Sequence, residues 1–268
     1  FFMKNLFIII FTLFFSLYSS SSNASIELVS HESLVNLKDK KILLAGATGN
    51  NGSHILYLLD ELDLNFRAMS RDINKASKKF GSHYEWVQAD VTKPETLVKA
   101  LEGIDIVIVA IASKIPIGKN RPERVDYFGS VNMINASIAA GVKRYVIITS
   151  SSSGVEDHFL NLIFNNVLLW KAKAEKYLVN SGLEYVIVCP SVINDNPGSQ
   201  KLIKIIQRNS FERGMEITRE DLATIVVEVS GNKDAKDKVF TVINDNAKYS
   251  KLWINKLKDM PNKLNHPK

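Results

Sequence analysis

The stretch KILLAGATGNNGSH, Lys41 to His54, decides how this chain is read. An apolar run, Ile42-Leu43-Leu44, leads into three glycines spaced three apart, Gly46, Gly49 and Gly52. Glycine costs a regular element about 0.5–1 kcal/mol relative to alanine. Three of them between a strand and a helix therefore need a reason. Gly46 suits a sharp turn off the strand. Gly49 allows backbone to approach a pyrophosphate, and Gly52 lets the helix lie close on the sheet. The helix start then offers N–H groups and a positive dipole end to phosphates. Thr48, Asn50 and Asn51 complete the candidate loop. The spacing predicts a dinucleotide site, provided that the loop sits in a strand–helix–strand unit.

The surrounding sequence supplies that context. Apolar runs at 41–46, 66–70, 84–90, 104–112, 144–150, 184–190 and 238–244 read as strands. Helical patterns occupy 51–62, 95–103, 124–141, 165–182 and 219–231. The run IDIVIVAIA, 104–112, is apolar on both faces, as a central parallel strand should be. Alternation of this kind predicts an α/β fold: a doubly wound, mainly parallel sheet of six or seven strands. No long linker interrupts 40–248, so a single domain is expected, with small C-terminal elements on the substrate side.

Composition narrows the class. The chain has 268 residues, 46% apolar and 23% charged, enough for one sizeable core. Much of the net charge of +6 belongs to the end: residues 249–268, with Lys248 just before them, read as a basic, solvated tail. No nucleic-acid partner is expected. Cys189 is the only cysteine, which excludes an intrachain disulfide and a cysteine-based zinc site. The histidines show no metal-ligand spacing.

Residues 1–24 differ in kind. Lys4 precedes an apolar run from Leu6 to Tyr18, and small residues follow up to Ala24. The layout fits a secretory signal peptide. It also fits a membrane anchor, with membrane association through residues 4–18, or the front of an organelle-targeting signal. Thirteen residues fall short of the roughly 20 that span a bilayer. Residues 25–39 read as a linker. The final compartment stays open between the secretory pathway, an organelle, and the cytosolic side of a membrane.

The end of the second strand selects the cofactor. An NAD site usually places a carboxylate there, on the ribose 2′-hydroxyl. Here the strand ends Met69-Ser70-Arg71, and Asp72 lies one residue beyond. An arginine fork suits a 2′-phosphate. Ser70 can donate to it and Lys75 is near in sequence, so NADP is expected over NAD.

Taken together, GATGNNG, Ser70-Arg71-Asp72, QADVTKPETLVKALEGIDIVIVA, VDYFGSVNMINASIAAGVKRYVIITS and WKAKAEKYLVNSGLEYVIVCPSVI resemble the atypical short-chain dehydrogenases/reductases. The similarity is to the NmrA-like, NAD(P)H-binding branch and covers about residues 40–245. It implies a Rossmann fold. It also implies that Asp90 and Val91 contact adenine, and that Ala110, Ile111 and Ala112 cover the adenosine. By the same resemblance Ser150 is the active-site serine, Lys171 holds the nicotinamide ribose, and Pro190, Ser191 and Val192 lie beside the nicotinamide.

Two departures bear on activity. Family members with a Tyr-x-x-x-Lys motif use that Tyr as general acid, four residues before the Lys. Position 167 here is Val167. Many atypical members have Arg-Pro where this chain has Cys189-Pro190. Two readings follow. One is an NADP-dependent oxidoreductase acting on a small carbonyl-, flavin- or quinone-like acceptor, with Ser150 and Lys171 as the catalytic candidates. The other is a non-catalytic NADP(H)-responsive sensor or assembly factor with a protein partner. His158 could restore an acid. Substrate specificity is assigned to the loops at 113–123, 152–165 and 192–218.

Overall fold

A computed structural model describes residues 29–210 and 214–262. The first strand, β1 (Ile42–Ala45), is fully buried and central. It feeds the first helix of the winding, Asn50–Glu61, and the chain returns as β2 (Phe66–Ser70) beside it. β3 (Glu85–Gln88) pairs with the outer edge of β2. The chain then crosses to the other side of β1 and lays down β4 (Ile106–Val109), β5 (Arg144–Ile148) and β6 (Glu184–Pro190) in turn. Two short strands, β7 (Val192–Asn194) and β9 (Glu216–Thr218), pair with each other apart from the main sheet. Between them runs β8 (Lys201–Ile206), which pairs antiparallel with the long last strand, β10 (Lys238–Lys248).

The sheet order is β3-β2-β1-β4-β5-β6-β10-β8, and every pair but the last is parallel. This is the doubly wound Rossmann architecture. It has seven parallel strands, as expected, and an antiparallel eighth at the edge that periodicity did not reveal. Alternate strand residues feed two cores: Ile42 and Leu44 face one layer of helices, Leu43 and Ala45 the other. The order reverses between β1 and β4. A crevice must open there at the carboxyl ends, and the glycine loop lies in it.

The helices, in chain order, are α1 (His31–Leu37), α2 (Asn50–Glu61), α3 (Ile73–Phe80), α4 (Leu97–Ala100), α5 (Gly129–Ala139), α6 (Phe159–Ile163), α7 (Val167–Val179) and α8 (Arg219–Gly231). α8 is buried from Asp221 to Gly231, and its start is capped by the Thr218 hydroxyl, which accepts from Asp221 N. A π-helical turn, Glu123–Phe128, runs directly into α5.

Both flanks differ from expectation. The segment read as a linker carries α1. Ser30 caps it, and the buried Glu228 of α8 accepts from Ser30 N at 2.6 Å and Ser33 Oγ at 2.7 Å. A Cβ on Gly231 would stand 2.3 Å from Ser33 O, so only glycine lets α1 come this close. The segment read as a solvated basic tail forms a 3-10 helix, Lys251–Asp259, whose Trp253 and Leu257 are buried. Its lysines, Lys251, Lys256 and Lys258, stay exposed while Trp253 and Leu257 anchor the segment in the core. The apolar run at Leu6–Tyr18 lies outside the described residues. Among the described residues, no helix is long and apolar enough to cross a membrane.

Candidate functional site

The loop after β1 is built around close backbone approaches. Gly46 has φ +93°, a conformation L side chains resist. Its missing Cβ would lie 2.5 Å from Ala110 O. Gly46 O accepts from Gly49 N at 2.9 Å, closing the turn. A Cβ on Gly52 would fall 2.0 Å from the same carbonyl oxygen. The loop and the first turn of α2 are therefore held together by the absence of side chains. Gly49 is the N-cap of α2 and, having no side chain, supplies no cap hydrogen bond to the first N–H groups of the helix.

A cleft opens from this loop across the ends of β2, β3 and β4. Gly46, Thr48, Gly49, Ser70, Arg71, Asp90, Val91, Ala110 and Ile111 all line it, together with Met69, Ala89, Lys114 and Val125. Nine of the sequence-named residues thus meet in one place. Asp90 is shaped by Thr92, whose N and Oγ1 both donate to Asp90 Oδ1 at 2.9 Å. Val91 is held by Asn132, which donates to its carbonyl at 2.8 Å. The cleft fits a dinucleotide: its glycine loop is backbone packed against Ala110 O too closely for a Cβ at Gly46, and it borders the hollow that Thr48, Gly49, Asp90 and Val91 line.

A second hollow continues from the first past Thr48, Ser70, Arg71 and Lys114. Asp72, Lys75 and Lys79 complete its polar wall. Four cations thus face one carboxylate, and that carboxylate is engaged: Asp72 is the N-cap of α3 and accepts from Lys75 N at 2.9 Å. Ser70 differs from expectation. It is buried, and its hydroxyl donates to Asp72 O at 3.0 Å and accepts from Asp72 N. It shapes the turn that aims Arg71. Lys79 and Lys114 were missed by sequence reading. Lys114 carries no local signal, because only the fold brings the loop after β4 against α3.

The remaining named residues divide. Asn50, Asn51 and Gly52 stand on the first turn of α2 without lining the cleft. The Asn51 side chain accepts from Arg219 Nη1, and Arg219 also donates to Asp195 at 2.7 Å. Ala112 is exposed beyond the cleft rim. Pro190 ends β6, its carbonyl accepting from Ser151 N at 2.9 Å. Ser191 is buried, and among the described residues its hydroxyl has no hydrogen-bond partner. Val192 is exposed at the carboxyl end of the sheet.

Ser150 follows β5, and its carbonyl accepts from Arg208 Nη2 at 2.9 Å. Arg208 also forms a bidentate pair with Glu175 of α7, both contacts 2.7 Å, and lies 3.1 Å from Cys189 Sγ. A guanidinium therefore does stand beside Cys189, brought from after β8. Burial pushes the Cys189 thiol up to about 11, which leaves it protonated and inert at neutral pH.

Lys171 Nζ lies 2.7 Å from Oδ1 of the buried Asp126. One turn earlier on α7, Val167 is buried. Tyr127 stacks on Trp170, ring centroids 5.9 Å apart, and Tyr177 donates to Asn135 at 2.8 Å. His158 caps α6, its Nδ1 accepting from Leu160 N at 3.2 Å. A neutral His158 thus carries its proton on Nε2.

Comparison with known proteins agrees with this geometry. A family model described as NAD(P)H-binding matches residues 46–233. Sanguinarine reductase of Eschscholzia californica is 30% identical over 243 residues, covering 76% of this chain and 88% of that protein. An uncharacterised chloroplastic protein of Arabidopsis thaliana is 30% identical over 238 residues and covers 84% of each chain. A solved structure from Bacillus halodurans, of NAD-dependent epimerase/dehydratase type, superposes with a TM-score of 0.70 at 23% identity, covering 82% of this chain and 99% of that one. With a glycine cradle at the switch point and a nicotinamide-nucleotide cleft beside it, the chain belongs to the NAD(P)H-binding family of NmrA-like atypical short-chain dehydrogenases/reductases.

Proposed function

We propose that the chain is an NADPH-dependent reductase whose acceptor is flat, conjugated and largely apolar. The observation that carries the cofactor choice is the hollow at the end of β2, where Arg71, Lys75, Lys79 and Lys114 face the capped Asp72. A ribose 2′-phosphate brings the charge that such a wall lacks. When bound, NADPH supplies a hydride. Lys171 holds the nicotinamide ribose hydroxyls, and the Ser191 hydroxyl, buried without a partner among the described residues, is available to the nicotinamide side.

The acceptor class follows from what α7 does not offer. A simple ketone needs a proton as it receives hydride, and Val167 has none to give. A flavin- or quinone-like acceptor spreads the incoming charge over its ring and takes its proton from water or from His158 Nε2. The segments leaving the ends of β4, β5 and β6 agree: Ile115, Ile117, Phe159, Leu162, Ile163 and Val192 are all large, apolar and exposed. A relative named sanguinarine reductase supports a reductase reading of this chain. The chloroplastic relative supports organelle targeting as the role of residues 1–24.

Two measurements test this. NADPH oxidation is expected with flavin-, quinone- and sanguinarine-type acceptors and not with aliphatic ketones. Equal turnover of ketones would sink the acceptor reading, and NADPH binding with no turnover on any acceptor would favour a sensor. Separately, Arg71→Asp is expected to weaken NADPH by roughly 1.5–3 kcal/mol, the scale of a charged hydrogen bond, and to spare NADH. Titration of both cofactors reads this directly, and equal losses would remove Arg71 from the role.

A further inference from the structure

The π-helical turn at Glu123–Phe128 carries Asp126 into the interior, with its side chain fully buried. Such turns interrupt a helix at a cost and gather at functional sites. A buried carboxylate needs partners, and Asp126 has two from distant elements. Its Oδ1 lies 2.7 Å from Lys171 Nζ on α7, and its Oδ2 accepts from Ser113 N at 3.0 Å. Ser113 lies in the loop after β4, three residues past Ala110. Its hydroxyl lies 2.8 Å from Ile115 O and 2.6 Å from Asn120 O, so the loop is folded around the residue that Asp126 grips. The next residue, Lys114, lines both the cleft and the cationic hollow.

We propose that Asp126 is a positioning residue for cofactor choice. One buried carboxylate sets two cations at opposite ends of the dinucleotide, Lys171 at the nicotinamide ribose and Lys114 at the 2′-phosphate. The inference rests on the NADPH reading above and adds a coupling between the two ends. Without the carboxylate, Lys171 loses the partner that fixes its ammonium. Ser113 loses the acceptor that fixes the loop, and Lys114 moves with it.

The test titrates NADPH and NADH against the wild-type chain and the variants Asp126→Asn, Asp126→Ala, Ser113→Pro and Lys114→Ala, with a melting curve for each. Asp126→Ala is expected to weaken both cofactors, by about tenfold for one lost charged contact. It should also narrow the NADPH-over-NADH preference to that of Lys114→Ala. Asp126→Asn, of the same size and able to keep one partner, moves in the same direction by less, which protects the test if the alanine variant fails to fold. Ser113→Pro removes both the N–H that Asp126 accepts and the hydroxyl that folds the loop, leaves Lys171 and its partner in place, and should narrow the preference while keeping NADH affinity. A purely structural Asp126 would lower the melting temperature and leave the preference at the wild-type value in both Asp126 variants, and that result overturns the proposal. Preference lost in Lys114→Ala but kept in Ser113→Pro and Asp126→Ala overturns the coupling alone. A wild-type chain with no preference, or one untouched by Arg71→Asp and Lys114→Ala, overturns the 2′-phosphate reading and the proposal with it.

Discussion

Glu175→Gln is expected to lower the free energy of unfolding by about 3–5 kcal/mol, because it removes the carboxylate charge that forks a buried guanidinium. The Glu175 side chain is completely buried and that of Arg208 is 2% exposed. Their two contacts, each 2.7 Å, form a parallel fork. Water cannot reach the guanidinium to replace a lost carboxylate oxygen. Arg208 also donates to Ser150 O and Cys189 Sγ, so its displacement would loosen the carboxyl ends of β5 and β6 together. The double variant Glu175→Leu with Arg208→Met separates the pair from its environment. It should be less destabilised than Glu175→Gln, since an apolar pair owes no desolvation. Urea unfolding of the three proteins measures both. A loss under about 1 kcal/mol in Glu175→Gln would mean that the guanidinium finds water, contrary to its burial.

That pair also shows what local pattern cannot carry. Residues 175 and 208 are separated by 33 positions, and neither has a neighbour that hints at the other. The glycine loop is the opposite case. Its spacing, the apolar run before it and the helical pattern after it all lie within a dozen residues, so the crevice, its cofactor class and nine lining residues could be named. The parallel strands were legible because they are buried on both faces and read as unbroken Val and Ile runs, whereas their order in the sheet came only from the structure. The antiparallel edge strand β8 escaped. Lys201–Ile206 alternates exposed and buried residues, yet it sits in a segment assigned to substrate loops. α3 escaped too. Asp72 was weighed against a ribose when its carboxylate caps a helix whose last turn holds Lys78 and Lys79. α1 and the Trp253 helix owe their order to partners far away in sequence, Glu228 for one and the β8–β10 edge for the other. Lys114 belongs with these: its importance comes from which helix faces its loop.

Gly52→Ala is expected to abolish useful binding of the nicotinamide cofactor and to destabilise the fold by about 2–4 kcal/mol, at the upper end of overpacking penalties. The added Cβ would stand 2.0 Å from Gly46 O, 2.7 Å from Gly46 C and 3.1 Å from Ala47 Cα. All three are backbone atoms, so no side-chain rotation relieves the clash. The backbone itself must shift, and Gly46 has nowhere to go: on its other side its own Cβ position is 2.5 Å from Ala110 O at the end of β4. Relief would have to come from the 46–49 turn, whose closing bond is Gly49 N to Gly46 O. Opening that turn dismantles the loop that lines the cleft at Gly46, Thr48 and Gly49. Gly103→Ala provides the contrast. Gly103 has φ +71° but nothing within 4 Å of its Cβ position. Only left-handed strain applies there, about 1–2 kcal/mol, with cofactor affinity retained. Calorimetric titration and urea unfolding of both variants separate steric from conformational cost. Gly52→Ala binding cofactor as the wild type does would show that the turn and the helix start can part without harm, and the close-approach account of the third glycine would fail.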